Sequence, residues 1–277
     1  MFAGVAGSSG TATGGLTGEW DMPSIFISGG AAGIGLATAE RFGREGWTVG
    51  VYDVDTAALA AVQAAHPDWI TGELDVREAE QWERALAEFT AHTGGTLDVL
   101  DNNAGVLVAG DLAEITPQAV KAQIDIDVLG VTLGAQAAFP FLRATPGAHL
   151  VNIASASAIY GQPGIATYSA AKFYVAGLTE ALELEWEKDD IRVVGIWPLW
   201  AKTALADNDA KTTQTLGVRI TPAEVADKVW ESVHPTSTDR RMHRTSYSVG
   251  TQTTLLANLS KFSPNALSRL VNKFLAQ

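Results

Sequence analysis

The chain has 277 residues, 47% of them hydrophobic, which is enough to bury one large α/β core, and we expect one domain rather than two. Its formal net charge of −12 argues against nucleic acid and anionic membrane surfaces as partners, because binding to phosphates needs a clustered basic face. It has no cysteine for a disulfide or a catalytic thiol and five scattered histidines without ligand spacing, so we expect no metal site and a reducing, cytoplasmic location.

The first 22 residues, MFAGVAGSSGTATGGLTGEWDM, are rich in Gly, Ser, Thr and Ala and show no hydrophobic periodicity. They lack the basic and apolar regions of a signal peptide, and we predict a disordered N-terminal lead over residues 1–22. Met22 stands two residues before the first predicted strand, so the start of the natural chain is open between Met1 and Met22.

From Ser24 onward, short runs rich in β-branched residues alternate with longer stretches whose apolar residues are three and four apart. The predicted strands are SIFIS, TVGVYD, WITGELD, LDVLDN, HLVNIAS, RVVGIW and RTSYSVG. Helical patterns lie between them, the longest being TPQAVKAQIDIDVLGVTLGAQAAFPFL, and no uninterrupted apolar run approaches the ~20 residues of a membrane-spanning helix. Nearly continuous apolar strands are typical of a parallel sheet covered on both faces. The pattern predicts a doubly wound (Rossmann) three-layer α/β sandwich with a seven-stranded, mainly parallel sheet, in one domain over residues 23–277.

The stretch SGGAAGIG, residues 28–35, places four glycines directly behind the first strand. At a strand-to-helix turn, the unpaired N–H groups and the dipole of the helix bind anions, and glycine lets a pyrophosphate approach the main chain. Taken alone, the motif also fits a plain flexible turn. Asp53, however, ends the second strand twenty residues after Gly33, where a carboxylate accepts hydrogen bonds from an adenosine ribose. That carboxylate repels a 2′-phosphate, and the next residue is Val54 rather than an arginine that could bind one. We therefore expect NAD rather than NADP.

A second group of polar residues follows the fifth strand. Tyr168 and Lys172 are four residues apart on a predicted helix and therefore share one face, and the ammonium favours the phenolate of its neighbour. Ser155 comes at the end of the fifth strand, at the edge where open α/β sheets bind their ligands. Each signal alone has an ordinary alternative, a surface pair for Tyr-x-x-x-Lys and a local cap for the serine.

Together these motifs resemble the short-chain dehydrogenase/reductase family over nearly the whole chain from Ser24. SGGAAGIG is similar to the family's Thr-Gly-x-x-x-Gly-x-Gly loop with Ser28 in place of threonine, and DNNAG is similar to its Asn-Asn-Ala-Gly segment. Ser155, Tyr168 and Lys172 have the family's catalytic spacing of thirteen and four residues.

The resemblance implies hydride transfer between NAD and a secondary alcohol or its ketone. Tyr168 would remove the hydroxyl proton, Ser155 would orient the substrate oxygen, and Lys172 would lower the pKa of Tyr168 and bind the nicotinamide ribose. By position, the resemblance assigns cofactor binding to Ser28, Gly29, Gly33, Ile34, Gly35, Asp53, Asp75, Val76, Asn103, Ala104, Gly105, Tyr168, Lys172, Pro198 and Thr203. Within this set, Asp75 would approach the adenine, residues 103–105 the adenosine ribose, and Thr203 the carboxamide.

Two positions depart from the family pattern. Asp127 replaces an asparagine of the family's proton relay, and it either retains the relay with an altered pH dependence or is a tolerated substitution. Leu199 follows Pro198 where the family commonly has glycine, so the main chain there either differs or never needed a positive φ. We predict a substrate lid around residues 199–217.

The substrate class follows less directly. Val106, Leu107, Ile159, Leu199 and Trp200 are candidates for an apolar pocket, which favours a hydrophobic alcohol or ketone. The alternatives are a 3-oxoacyl-thioester reductase of the same family and a non-catalytic NAD-binding protein. An apolar stripe over residues 267–275 is expected to dock on the domain or on a second subunit, and the family resemblance implies a homodimer or homotetramer.

Overall fold

The computed structural model describes residues 22–203 and 220–260. The predicted N-terminal lead up to residue 21, the part of the lid from residue 204 onward and the C-terminal stripe lie outside the described residues.

Seven strands form one sheet in the order β3-β2-β1-β4-β5-β6-β7. Their bounds are Ser24–Ser28 (β1), Thr48–Asp53 (β2), Ile70–Glu73 (β3), Val99–Asn102 (β4), His149–Ile153 (β5), Arg192–Trp197 (β6) and Ser246–Ser248 (β7). Every neighbouring pair is parallel, which confirms the predicted doubly wound architecture and extends "mainly parallel" to the whole sheet. β3, β4, β5 and β7 are shorter than their sequence patterns indicated.

Helices cover both faces of the sheet. Their bounds are Gly33–Gly43 (α1), Thr56–Ala65 (α2), Ala79–Thr90 (α3), Pro117–Ile124 (α4), Val131–Arg143 (α5), Ala166–Trp186 (α6), Pro222–Val233 (α7), Ser237–Arg241 (α8) and Thr251–Ser260 (α9). One face carries apolar residues of α1, α2 and α7, including Phe42, Val62 and Val229. The other carries residues of α3, α5 and the end of α6, including Trp82, Leu142 and Trp186.

α4 and α5 form one helical stretch that is interrupted by a π-helical turn, Asp125–Gly130. By length and composition alone this stretch, Pro117–Arg143, is apolar enough to cross a membrane, a test that core helices of globular domains also pass. Here Ala135, Ala138 and Leu142 are buried in the core beside the sheet. One face of the stretch therefore packs in the core, and its π-turn widens the helix beside the carboxyl edge of β4.

The order of the strands creates a crevice between β1 and β4. From β1 the chain builds the sheet outward through β2 and β3, and then returns to add β4 on the opposite side of β1. The loops after these two strands therefore diverge, and open α/β sheets bind ligands at such a point.

An acidic residue lies in the middle of the sheet. Asp101 on β4 is fully buried between Ile27 of β1 and Val151 of β5. Neither oxygen of its carboxyl group has a hydrogen-bond partner among the described residues. Burial raises the pKa of Asp101 to about 8. The group is therefore mostly protonated at neutral pH in the folded protein and ionised in the unfolded chain.

We predict that Asp101→Val stabilises the protein. Since the unfolded carboxyl loses its proton near pH 4 and the folded one near the raised pKa of about 8, the free energy of unfolding falls as pH rises through this window. The valine variant removes this dependence on pH. Removal of an unpaired buried polar group is expected to raise the free energy of unfolding by about 1–3 kcal/mol at pH 7.5. Urea denaturation at pH 5 and 7.5 measures both effects.

Asp98, one residue before β4, is the matched control because its carboxylate accepts hydrogen bonds from Ser24 N at 2.8 Å and Ser24 Oγ at 2.9 Å. Asp98→Val is expected to destabilise the protein. If Asp101→Val is no more stable than the original protein and shows the same pH dependence, another interaction offsets the cost of burying this carboxyl group.

Candidate active site

The turn between β1 and α1 packs directly against the loop that follows β4. Gly29 has φ +63°, and a Cβ there would lie 2.8 Å from Ala104 Cα. A Cβ on Gly35 would lie 2.3 Å from Gly29 O and 2.6 Å from Asn103 Nδ2. Only glycine allows this approach, which brings the main chain of the turn and the N-terminus of α1 to the edge of the crevice.

Two side chains hold this arrangement together. The Asn103 amide donates to Ser28 O at 3.0 Å and to Gly29 O at 2.8 Å, and Ser28 Oγ accepts from Asn103 N at 3.2 Å and Ala104 N at 3.3 Å. Ser28 and Gly35, which were predicted to bind the cofactor, do not line the cavity described below. They shape the turn instead. The Asn103 side chain likewise serves the turn, although the residue borders the cavity.

The N-terminus of α1 has the features of an anion site. Its N-cap residue, Ala32, provides no side-chain hydrogen bond, and no acidic residue lies in the first turn. The first N–H groups of α1 are therefore not satisfied by a side-chain cap and lie beside the cavity with Gly33 and Ile34. A pyrophosphate fits this charge and hydrogen-bonding pattern.

Acidic residues lie at the next strand ends. Asp53 accepts hydrogen bonds from Ala31 N and Asp55 N, both at 3.1 Å, so its carboxylate is fixed beside the glycine turn. Asp75 accepts from Arg77 Nε at 2.8 Å, and this hydrogen bond lowers the pKa of the Asp75 carboxyl group. Asp53, Asp75 and Arg77 all border the cavity. Arg77 was not predicted; it stands two residues after Asp75 and pairs with that carboxylate.

Ser155, Tyr168 and Lys172 meet at one end of the same cavity. Ser155 is the N-cap of a short 3₁₀ turn, and its Oγ accepts from Ser157 N at 3.1 Å. Tyr168 and Lys172 lie one turn apart on α6, with Nζ 5.4 Å from the centroid of the tyrosine ring. Lys172 Nζ donates to Ile153 O at 3.0 Å, which anchors the ammonium at the end of β5.

The electrostatics of Tyr168 differ from the sequence prediction. Burial raises the pKa of its phenol, and Lys172 opposes this without overcoming it; Asp127 raises it further, and a hydrogen bond with Ser155 lowers it. The predicted influence of Lys172 thus has the right sign, but the expectation of a pKa below the ordinary value is wrong for the protein alone. Desolvation of the phenolate is the larger effect.

Asp127 lies in the π-helical turn and is fully buried. Its Oδ1 accepts from Val106 N at 2.8 Å, while Oδ2 has no hydrogen-bond partner among the described residues. Asp127 does not line the cavity, but a Cβ on Gly105 would lie 3.3 Å from Oδ1 and 3.5 Å from Lys172 Nζ, so the two groups flank that glycine. Burial raises the pKa of the Asp127 carboxyl group and the charge of Lys172 lowers it.

The cavity has a volume of about 490 Å³ and joins the anion site to the Tyr168 end. Of the predicted site residues, it is lined by Gly29, Gly33, Ile34, Asp53, Asp75, Val76, Asn103, Ala104, Gly105, Ser155, Tyr168, Lys172, Pro198 and Thr203. The predicted site residues on this list thus surround one continuous space.

The apolar candidates divide differently. Val106, Leu107, Leu199 and Trp200 line the cavity, but Ile159, which caps the end of the 3₁₀ turn, does not. Among the described residues, Asp190 and His243 are the non-glycine residues with positive φ, so Leu199 occupies its position without that strain.

Gln162 also lines the cavity and was not predicted.

Among residues 22–203 and 220–260, no group of three His, Asp or Glu side chains is arranged to hold a metal ion.

Comparisons with known proteins agree with this geometry. Residues 23–214 match the family model described as short chain dehydrogenase. The meso-2,3-butanediol dehydrogenase of Serratia marcescens is 34% identical over 191 residues, covering 68% of this chain and 75% of that protein. The cis-4-hydroxycyclohexanecarboxylate dehydrogenase of Sinomonas cyclohexanicum is 33% identical over 218 residues, covering 73% and 86%. The crystal structure of levodione reductase aligns with a TM-score of 0.74 at 26% identity, covering 84% of this chain and 98% of that one.

The glycine turn, the parallel sheet, the grouping of Ser155, Tyr168 and Lys172, and the family match thus lead to one conclusion. The chain is an oxidoreductase of the short-chain dehydrogenase family.

Proposed function

We propose that the protein is an NAD-dependent dehydrogenase that interconverts a hydrophobic secondary alcohol and its ketone. The observation that carries this proposal is the single cavity that joins the uncapped N-terminus of α1 to Ser155, Tyr168 and Lys172. The apolar wall formed by Leu107, Leu199 and Trp200 supports a hydrophobic substrate. Butanediol and hydroxycyclohexanecarboxylate in the names of two relatives support a secondary alcohol.

The residues that would hold the cofactor follow the cavity in order. The first turn of α1 would bind the pyrophosphate, Asp53 the adenosine ribose, Asp75 the adenine edge and Thr203 the carboxamide. NAD would supply the hydride acceptor for alcohol oxidation. Asp53 favours NAD over NADP because its carboxylate repels a 2′-phosphate, and the nearby positive charge of Arg77 is already paired with Asp75.

The acid–base chemistry is proposed to centre on Tyr168. In oxidation the phenolate removes the hydroxyl proton of the substrate while Ser155 Oγ holds the same oxygen and Lys172 stabilises the phenolate charge. Because burial raises the pKa of Tyr168, the phenolate fraction and hence the oxidation rate increase as pH rises above neutrality. Ketone reduction uses the protonated phenol and is favoured toward lower pH.

We predict that Tyr168→Phe lowers kcat/KM for oxidation of a hydrophobic secondary alcohol by about 10²–10⁴-fold, the usual contribution of a general base. NAD binding, measured by calorimetry, is expected to change little because the ring is retained. Formation of NADH, followed at 340 nm, measures the rate.

Tyr174→Phe is the matched control, since Tyr174 is exposed on the same helix and its hydroxyl contacts Thr132 Oγ1 at 2.8 Å. Equal activity of Tyr168→Phe and the original protein would contradict the proposed role. NAD binding without turnover of any alcohol or 3-oxoacyl thioester would favour the non-catalytic alternative.

The cofactor preference is expected to depend on Asp53. The original protein should use NAD at least tenfold better than NADP in kcat/KM, and Asp53→Asn should narrow this ratio by removing the charge that repels the 2′-phosphate. Asp55→Asn is the control, because Asp55 caps α2 by accepting from Ala57 N and Ala58 N, and asparagine caps helices equally well. Identical NAD-to-NADP ratios in the original and Asp53→Asn proteins would rule out this explanation of the preference.

We also propose that Asp127 influences the pH at which the phenol of Tyr168 ionises, and with it the pH dependence of oxidation. Its charge raises the pKa of Tyr168, and it flanks Gly105 together with Lys172. Asp127→Asn retains an acceptor for Val106 N but removes that charge. We therefore predict that the rise of kcat for oxidation shifts to lower pH in this variant.

Asp125→Asn provides the control, since Asp125 belongs to the same π-turn and pairs with Lys121 outside the cavity. A pH–rate profile of Asp127→Asn that overlays that of the original protein would make Asp127 a tolerated substitution without influence on the tyrosine.

Self-association through α6 and the α4–α5 stretch is part of the proposal. Apolar side chains are exposed on both elements, namely Ile124, Leu129, Phe173, Tyr174 and Leu184. This face supports a homodimer or homotetramer, because exposed apolar patches mark interaction surfaces. The cytoplasmic location stays a prediction from composition.

A further inference from the structure

We propose that Gln162 determines substrate specificity by binding a second hydroxyl group of the substrate, close to the carbon that is oxidised. The preferred substrates are then diols or hydroxyketones rather than simple alcohols. This inference rests on the proposed function, because it concerns the same cavity and the same reaction.

Gln162 is a buried polar residue with an unused acceptor. It is 4% exposed and lines the cavity together with Ser155 and Tyr168. Its Oε1 is fully buried and has no hydrogen-bond partner among the described residues. Buried amide groups are nearly always hydrogen-bonded, so an unpaired one at a ligand cavity points to a bond that a ligand completes.

The main chain fixes Gln162 relative to the catalytic tyrosine. Gln162 N donates to Ser169 Oγ at 3.1 Å, one residue beyond Tyr168, and Ile165 N donates to Gln162 O at 3.4 Å. Gly110 N donates to Gly164 O at 2.8 Å, which ties the same turn to the loop after β4. The turn that carries Gln162 is therefore held by three hydrogen bonds, one of which joins the main chain of Gln162 to the residue after Tyr168.

The surroundings make this amide selective. Leu107, Leu199 and Trp200 form the apolar wall beside it, and Trp200 packs with Ile165 and Tyr168 in one buried cluster. Ser157 Oγ accepts a hydrogen bond from Ser155 Oγ at 3.2 Å. A substrate that lacks a polar group at this position would leave the amide unpaired in an apolar environment, which is how polar sites reject deoxy analogues.

The chemistry of the amide favours a hydroxyl over a carboxylate. Oε1 accepts hydrogen bonds and so requires a donor, and a hydroxyl satisfies the amide in either orientation because it both donates and accepts. Of the cations that line this cavity, Arg77 is paired with Asp75, and Lys172 is proposed to stabilise the phenolate of Tyr168. A carboxylate would therefore meet no free cation among the lining residues.

The reaction itself involves only one carbon of such a substrate. The C–H bond of the reacting carbon breaks with its electron pair moving to NAD, the O–H proton passes to Tyr168, and a C=O bond forms. The hydroxyl held by Gln162 is unchanged, so a diol gives a hydroxyketone and NADH.

The test compares two pairs of alcohols, butane-2,3-diol with butan-2-ol and cyclohexane-1,2-diol with cyclohexanol, in the original protein and in Gln162→Met. Methionine has a similar length and no amide. We expect the original protein to prefer each diol at least tenfold in kcat/KM. Gln162→Met should lose at least tenfold on the diols and stay within twofold on the simple alcohols.

Two further variants guard against a structural effect. Gln162→Asn keeps an amide on a shorter side chain and should retain part of the diol preference. Gln63→Met, which removes an amide bonded to Pro67 O and Thr71 Oγ1 outside the cavity, should leave the preference intact. Equal losses on diols and simple alcohols in Gln162→Met, or no diol preference in the original protein, would overturn the proposal.

If the original protein oxidises none of the four alcohols, the proposed function fails. The role of Gln162 is then tested separately, by measuring the binding of the same alcohols. Saturation-transfer NMR with NAD present would then compare the diols with the simple alcohols. A diol signal that is lost in Gln162→Met supports the inference, and equal signals for diols and simple alcohols in the original protein overturn it.

Discussion

The close packing of the β1–α1 turn against the loop after β4 is the constraint on which the rest of the site depends. Gly29 and Gly35 permit an approach that any Cβ would block, and Ser28 and Asn103 fasten the two loops with four hydrogen bonds. Because β1 and β4 are neighbours in the sheet, this contact fixes the start of α1 over the crevice at the strand ends. Both the anion site and the inner wall of the catalytic end follow from it.

Burial determines the electrostatics of the site more than any single pair of charges. Desolvation raises the pKa of Tyr168 and of Asp127, and Lys172 opposes both increases. The charge of Asp127 adds to the increase at Tyr168. The same effect of burial acts at Asp101, where no charged group among the described residues opposes it and the carboxyl stays largely neutral.

The fold was predictable because the alternation of apolar strands and amphipathic helices is local, and the turn and catalytic motifs have fixed spacing. Half of the lining residues followed from those motifs and from the family resemblance. Gln162 did not, because a glutamine in the turn GQPG has no sequence signal of burial. The burial of Asp101 had no clear sequence signal either, because its predicted strand also contains Asp98 and Asn102. The pKa direction of Tyr168 depends on desolvation that only tertiary packing produces.

The most direct test of the account is to follow the transferred hydrogen. When butane-2,3-diol deuterated at carbons 2 and 3 is oxidised with NAD, the account predicts one deuterium at C4 of the nicotinamide for each ketone formed. Mass spectrometry of the NADH would detect it. Ketone that forms without NADH, or NADH that forms without deuterium, would contradict direct hydride transfer between an alcohol carbon and a cofactor in this cavity.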